Sequence, residues 1–243
     1  MAVAYETSIA PWTETFLAAG GSVTEAINAG TGSNRVLTVA VFWRDRNNTI
    51  SGITYNGVAM TSLGTQVTEG TLRGQLWRLA GPASGSNTLE ITYSAGDSNS
   101  PVWAGAHVCN GVDQTTPTSG YVSNQGQGST ANIVSSATVT SATDDMVVTY
   151  HATFNQTENI TATPTNYTER QDAADGGGYS LEFGDAAGAA SVATSATWSN
   201  GAYLVYWIAF GVSVEATSGG GGLQWLPQCE AGLRSRTRLI LVD

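Results

Sequence analysis

The run Val102-Trp-Ala-Gly-Ala-His-Val-Cys-Asn-Gly-Val-Asp-Gln-Thr-Thr-Pro117 can be read in two ways, and the choice between them decides the fold. Read as chemistry, His107 and Cys109 stand two residues apart, so on an extended strand they share a face. A nucleophilic thiol needs a base within reach, but no third group that would orient the imidazole is apparent. Read as scaffold, Val102, Ala104, Ala106 and Val108 alternate inward along a strand. Asn110-Gly111 then lets the backbone turn, and Asp113 and Thr115-Thr116 can bond local backbone groups. Pro117 fixes φ and ends the pairing. We read the stretch as a sandwich corner, with His107 and Cys109 at the end of a sheet face.

The surrounding sequence has the same period. Leu89, Ile91 and Tyr93 share one face of a strand, and Thr88, Glu90 and Thr92 the other. In Asp145–Thr153, Met146, Val148, Tyr150 and Ala152 are expected inward, and Val147, Thr149, His151 and Thr153 outward. Two runs are apolar on both faces and are expected to be covered on both: Arg35–Trp43, and the strand carrying Leu204, Tyr206, Ile208, Phe210, Val212 and Val214 opposite Val205, Trp207 and Ala209. Ile53–Met60 reads as a hairpin, because Asn56-Gly57 suits the two positive φ angles of a type I′ turn. Loops are expected at Gly81–Asn87 and Ala95–Pro101. Helical periodicity is almost absent; Thr13–Ala29 has room for one short turn, interrupted by Gly20-Gly21. Many short strands with regular turns predict an all-β antiparallel sandwich, jelly-roll-like.

Composition limits the function. The chain has 243 residues, enough to bury a core without staples. Only 12 % are charged, and the net charge is −10, which disfavours a nucleic-acid partner. All nine basic residues are Arg. The 41 % hydrophobic content argues against disorder. The longest apolar run, Ala202–Val214, is too short for a membrane span, and "MAVAYETSIAPW" lacks the basic and apolar regions of a secretory signal. A surface-type composition without an export signal suits a virion component made in the host cytoplasm and exposed on the particle. The two cysteines, Cys109 and Cys229, lie far apart in different settings and are expected to be free thiols.

The sandwich is expected to span residues 1–215, followed by a Gly-rich linker over 216–222 and a C-terminal docking arm over 223–243. Residues 1–215 hold six Arg and seventeen acids; residues 216–243 hold three Arg and two acids. Arg234, Arg236 and Arg238 fall on one face of an extended strand, just before Leu239, Ile240, Leu241 and Val242. Together with Leu223, Trp225 and Leu226 these are the candidate partner-binding residues. An apolar, β-prone run of this kind is an aggregation hazard if left free, and adding it to a partner's sheet edge satisfies its backbone.

The pieces "ISGITYNGVAMTSLG", "GPASGSNTLEITYS", "WAGAHVCNGVDQTTP" and "SATDDMVVTYHAT", followed by a final aromatic strand, resemble a recurring β-sandwich domain of tailed-phage virion proteins and some bacterial surface proteins. The resemblance spans roughly Arg35 to Val214, with the "GVDQTTP" corner its most recognisable element. It implies a mostly non-enzymatic family and says nothing of the segment after Gly222.

Other constellations are weaker. Asp144-Asp145 and the acids of Glu169–Asp175 are read as turn acids rather than as a glycosidase pair. Asp172, Asp175, Glu182 and Asp185 offer oxygen ligands for calcium, but no calcium-loop pattern is present. No Cys/His set suits zinc and no P-loop exists. Trp43, Trp77, Trp103 and Trp207 are expected in packing rather than in a sugar platform. The sequence therefore predicts no enzyme, no cofactor and no metal. It predicts a homo-oligomer, such as a trimer, on the virion surface, with the major capsid protein or another virion protein as partner and neither nucleic acid nor membrane. The leading expectation is an outer capsid decoration (cement) protein of a bacteriophage. The alternative is a receptor- or carbohydrate-binding module of a tail fibre or adhesin, whose partner is a host-surface glycan.

Overall fold

The period-2 patterns become seventeen strands, with no helix among the described residues. The computed structural model describes residues 1–15, 21–44, 49–95, 101–155, 160–174, 178–199 and 203–217. The strands are β1 (Ala4–Thr15), β2 (Ser22–Asn28), β3 (Val36–Arg44), β4 (Thr49–Tyr55), β5 (Val58–Ala59), β6 (Thr61–Glu69), β7 (Leu72–Ala80), β8 (Ser86–Ala95) and β9 (Pro101–Asn110). They continue with β10 (Thr118–Gly128), β11 (Asn132–Val139), β12 (Met146–Asn155), β13 (Ala162–Thr165), β14 (Thr168–Ala174), β15 (Tyr179–Ala187), β16 (Val192–Ser199) and β17 (Val205–Val214).

The first nine strands form two antiparallel sheets, ordered β1-β9-β3-β7-β6 and β2-β8-β4-β5. The last eight form two more, ordered β10-β17-β12-β15-β14 and β11-β16-β13. The two orders are the same. Substituting β10, β11, β12, β13, β14, β15, β16 and β17 for β1, β2, β3, β4, β6, β7, β8 and β9 turns one pair of sheets into the other, and β5 alone has no counterpart. Each pair follows jelly-roll order. The expected antiparallel sandwich is present, and it is built twice.

Register fixes the equivalence residue by residue. Val36 pairs with Cys109 and Ala80, and Met146 pairs with Val214 and Ala187. Just before these strands, Asn34 (φ 51°) and Asp144 (φ 76°) both take the left-handed conformation, which short polar side chains tolerate. Asn56 (φ 51°) and Asn166 (φ 65°) do so after β4 and β13. At Asn56-Gly57 the two positive φ angles make the expected hairpin.

The two five-stranded sheets pack face to face. β1 lies on β14, β9 on β15, β7 on β17 and β6 on β10. This is the pattern of a pseudo-two-fold axis between the middle strands β3 and β12, where the Thr38 and Tyr150 hydroxyls meet at 2.8 Å. Four layers result, with three interiors between them. In the first jelly roll, Leu37, Val39, Val41 and Trp43 pack on Ile53, Tyr55, Leu89 and Ile91. Between the jelly rolls lie Phe42, Trp103, Tyr150, Phe154, Phe183 and Phe210. In the second, the apolar residues fall into two separate groups, one around Ile133 and Trp198, the other around Val139, Val147 and Val192.

The stacking covers β3 on both faces and β17 from Ile208 onward, and Leu89, Ile91 and Tyr93 face inward as the alternation required; Leu204, expected on the covered strand, precedes it and is 48 % exposed, and Tyr206 and Trp207 are half-buried. It also corrects one expectation. Val147, Thr149, His151 and Thr153 were expected outward, yet all four are fully buried under the β11-β16-β13 sheet. Antiparallel sheets commonly leave one face to water; here both five-stranded sheets are inner layers.

Candidate functional site

β9 carries His107 and Cys109 on its second face, which points at the other jelly roll rather than at solvent. Across the interface, Asp185 projects from β15. The imidazole Nε2 of His107 lies 2.9 Å from Asp185 Oδ2, and its Nδ1 lies 3.5 Å from Cys109 Sγ. The orienting third group that the sequence did not reveal is therefore Asp185, 78 residues further along the chain. Arg170 from β14 clamps the same carboxylate through Nε (2.5 Å) and Nη2 (2.9 Å), and its guanidinium lies 3.9 Å above the ring of Tyr5 on β1. Tyr5 meets His107 edge-on at 5.3 Å. Cys109 Sγ also touches Met146 Sδ at 3.6 Å.

The geometry is that of a thiol, a base and an orienting carboxylate, but the electrostatics are those of a scaffold. Cys109 is 1 % exposed and His107 is fully buried. Burial pushes the Cys109 thiol far above its ordinary value, and the Asp185 charge adds to the rise. Burial likewise lowers the His107 imidazole, against the pull of Asp185. Neutral thiol and neutral imidazole are the stable pair, with Nε2–H donating to the Asp185 carboxylate and Nδ1 left to accept from S–H. Asp185 itself stays ionised: burial raises its value, but the His107 and Arg170 hydrogen bonds outweigh this and leave it lowered. In this form the cluster ties β9, β14 and β15 across the interface.

A second buried constellation lies inside the second jelly roll. Trp198 Nε1 donates to Ser135 Oγ (2.8 Å), which meets His151 Nδ1 at 2.9 Å. His151 Nε2 lies 2.9 Å from Thr149 Oγ1, which reaches Thr194 Oγ1 at 2.9 Å. Both ring nitrogens are occupied, and burial drives the imidazole down to about 3. Directly across the strands from His151 is Glu182, fully buried, and Asp172 is its partner on β14. Burial raises Glu182 to about 7; the Tyr167 hydroxyl pulls the other way, and the Asp172 and Glu169 charges add to the rise. Neither Glu182 oxygen makes a well-formed hydrogen bond; Tyr167 approaches without the geometry of one. Burial, then the Glu169 charge, raises Asp172 to about 6.

Of the residues weighed as calcium ligands, Asp172 and Glu182 share one face, whereas Asp185 points to the opposite face against Arg170. Asp175 lies outside the described residues. Among the described residues no group of three or more such ligands converges. The Asp144-Asp145 pair sits in a turn: the Asp145 carboxylate accepts from Ala142 N (3.1 Å) and Ala216 N (2.8 Å). Trp43, Trp77 and Trp103 are in the packed interior, and Trp207 is half-buried.

The corner at 109–117 is built as its residue types suggested. Gly111 has φ 73°, and Asp113 Oδ1 accepts from Thr115 N (2.7 Å) and Thr116 N (3.0 Å). Cys109 is a free thiol. The tail residues Leu223 to Val242 named as partner-binding, and Cys229 with them, lie outside the described residues. Compared with known protein families and with curated proteins, the chain matches none.

Proposed function

We propose that this chain is a non-enzymatic structural component of a tailed-phage virion, an outer capsid decoration protein that assembles by self-association, as a trimer or similar oligomer, and by docking of residues 223–243. One observation carries the non-enzymatic part. Among the described residues, the cysteine and both histidines are held inside the fold: Cys109 and His107 meet Asp185 between the two jelly rolls, and His151 is bonded at both ring nitrogens. The buried, all-antiparallel double scaffold and the resemblance of residues 35–214 to phage virion sandwiches support the particle role. The acidic body and the basic, apolar end of the tail support docking on a partner's sheet edge, where Arg234, Arg236 and Arg238 fix register against carboxylates.

The test compares the full chain with a truncation ending at Thr217 on particles lacking the protein. The expected result is a truncated body that is folded and soluble yet no longer co-sediments, while the full chain does. Normal assembly of the truncated body overturns the docking arm. Binding of the full chain to host-surface glycan, with no binding to particles, overturns the decoration role in favour of a tail-fibre module.

A further inference from the structure

Two Asn-Gly pairs stand among the described residues, Asn56-Gly57 and Asn110-Gly111; a third, Asn200-Gly201, lies outside them. A glycine after an asparagine leaves its own amide nitrogen open to the carboxamide, because no Cβ stands in the way. The same latent chemistry is therefore present at both described pairs, and the fold treats the two differently.

At Asn110 both reacting groups are engaged. Its Nδ2 donates to Glu6 Oε2, and Gly111 N donates to Ser33 O at 3.2 Å. The glycine is tightly packed as well: a Cβ added to it would come 2.9 Å from Ala2 O. At Asn56 neither group is engaged. The residue is exposed at the tip of the β4-β5 hairpin, and among the described residues neither its carboxamide nor Gly57 N has a hydrogen-bond partner. Nothing lies within 4 Å of a Cβ added to Gly57, so the peptide has room to rotate. The pseudo-two-fold supplies a third case. Asn166 takes the same left-handed conformation as Asn56 after the matching strand, but Tyr167 follows it and its Nδ2 donates to Ala193 O at 3.0 Å.

We propose that Asn56-Gly57 is a self-modifying site whose co-reactant is water. Gly57 N gives up its proton and attacks Asn56 Cγ; the Cγ–Nδ2 bond breaks, and ammonia leaves with that proton. The five-membered imide then takes up one water at either carbonyl, so position 56 becomes an α-linked or a β-linked aspartate. No electrons are exchanged. Both products add a negative charge to the tip. The β-linked form also adds a backbone carbon to a two-residue turn, whose length sets the register of the hairpin. Behind the turn stand the Thr54–Ala59 pair and then Met60, which is buried in the first interior and donates from its N to Ile53 O at 2.8 Å. The change therefore reaches from an exposed tip to an interior anchor of the first jelly roll. It is independent of the virion reading.

The test incubates the full chain in oxygen-18 water at mildly alkaline pH, natively and in unfolding urea, and reads the label at each asparagine by peptide mass spectrometry. The label enters as the imide opens. Natively, Asn56 is expected to take it up about tenfold or more faster than Asn110 or Asn166. In urea, where the fold no longer separates them, Asn56 and Asn110 are expected to agree within about threefold. Equal native rates overturn the proposal. So does a difference that persists in urea, which would make the neighbouring sequence its cause. An Asn56 that stays unlabelled natively, over the time in which the unfolded chain is labelled to completion, overturns it too.

Discussion

The two jelly rolls share one topology but fill it differently. In the first, β3 turns Val39, Val41 and Trp43 into an apolar interior; at the matching positions β12 turns in Thr149, His151 and Thr153. Gln75 in the first repeat corresponds to Glu182 in the second. The first interior is held by area removed from water, which tolerates repacking. The second combines two apolar groups with a connected set of hydrogen bonds, and such a set stabilises only while its members are satisfied. One strand order therefore accommodates two kinds of core. The same contrast recurs at the interface. His107 meets Asp185 across the axis, whereas at the matching positions stand Val212 and Arg78, and Arg78 Nη1 is buried with no hydrogen-bond partner.

The largest effects separate the two interiors. Trp43→Ala and Trp198→Ala should each cost about 3–5 kcal/mol in urea unfolding. Only W198A should couple to Ser135→Ala in a double-mutant cycle, by about 1 kcal/mol, because only Trp198 donates to Ser135. Equal coupling of W43A to S135A would remove the distinction.

The interface comes next. Asp185→Ala strips Arg170 and His107 of their carboxylate and should cost about 3 kcal/mol, since breaking a buried pair leaves charge uncompensated. Arg78→Met, at the corresponding position, should be neutral or stabilising within about 1 kcal/mol. Similar losses for both would show that Arg78 has a buried role of its own.

A pH series sharpens the contrast further. His151 folds with a value of about 3 against an ordinary 6.5, so the unfolded chain takes the proton first. Its contribution is complete above about pH 6.5 and is lost as the pH falls towards 3. Glu182, raised to about 7, works in the other direction: the unfolded chain ionises first, near 4.3. Its contribution is complete below about that value and is lost as the pH rises towards 7. Glu182→Gln, which copies Gln75, should raise stability at pH 8 by about 1–3 kcal/mol and change little at pH 4. Denaturant midpoints that move equally at both pH values would show that the carboxylate is not the strained group.

The smallest effect is at the thiol. Cys109→Val installs the residue found at the matching position, Val214, and should shift stability by less than about 1 kcal/mol. Native Cys109 should resist thiol reagents until the protein unfolds. Rapid native labelling would mean that the sulfur is reachable and would reopen the chemical reading of the site.

Sequence periodicity by itself determined a good deal. The alternation at Asn87–Tyr93, the doubly apolar runs of β3 and β17, the Asn56-Gly57 hairpin and the Asp113 corner were all legible, because each is fixed by local sterics and by short-range hydrogen bonds. The repeat was not, since equivalence rests on register across residues as distant as Val36 and Cys109, and the two halves fill matching positions with different chemistry. Nor was the burial of His151 and Thr149 legible, because period 2 tells which residues share a face but not whether a second sheet covers it. Asp185 could not be assigned to His107 from the chain alone: a strand fixes neighbours two apart, and only the packing of one five-stranded sheet on the other brings residues 78 positions apart within 2.9 Å.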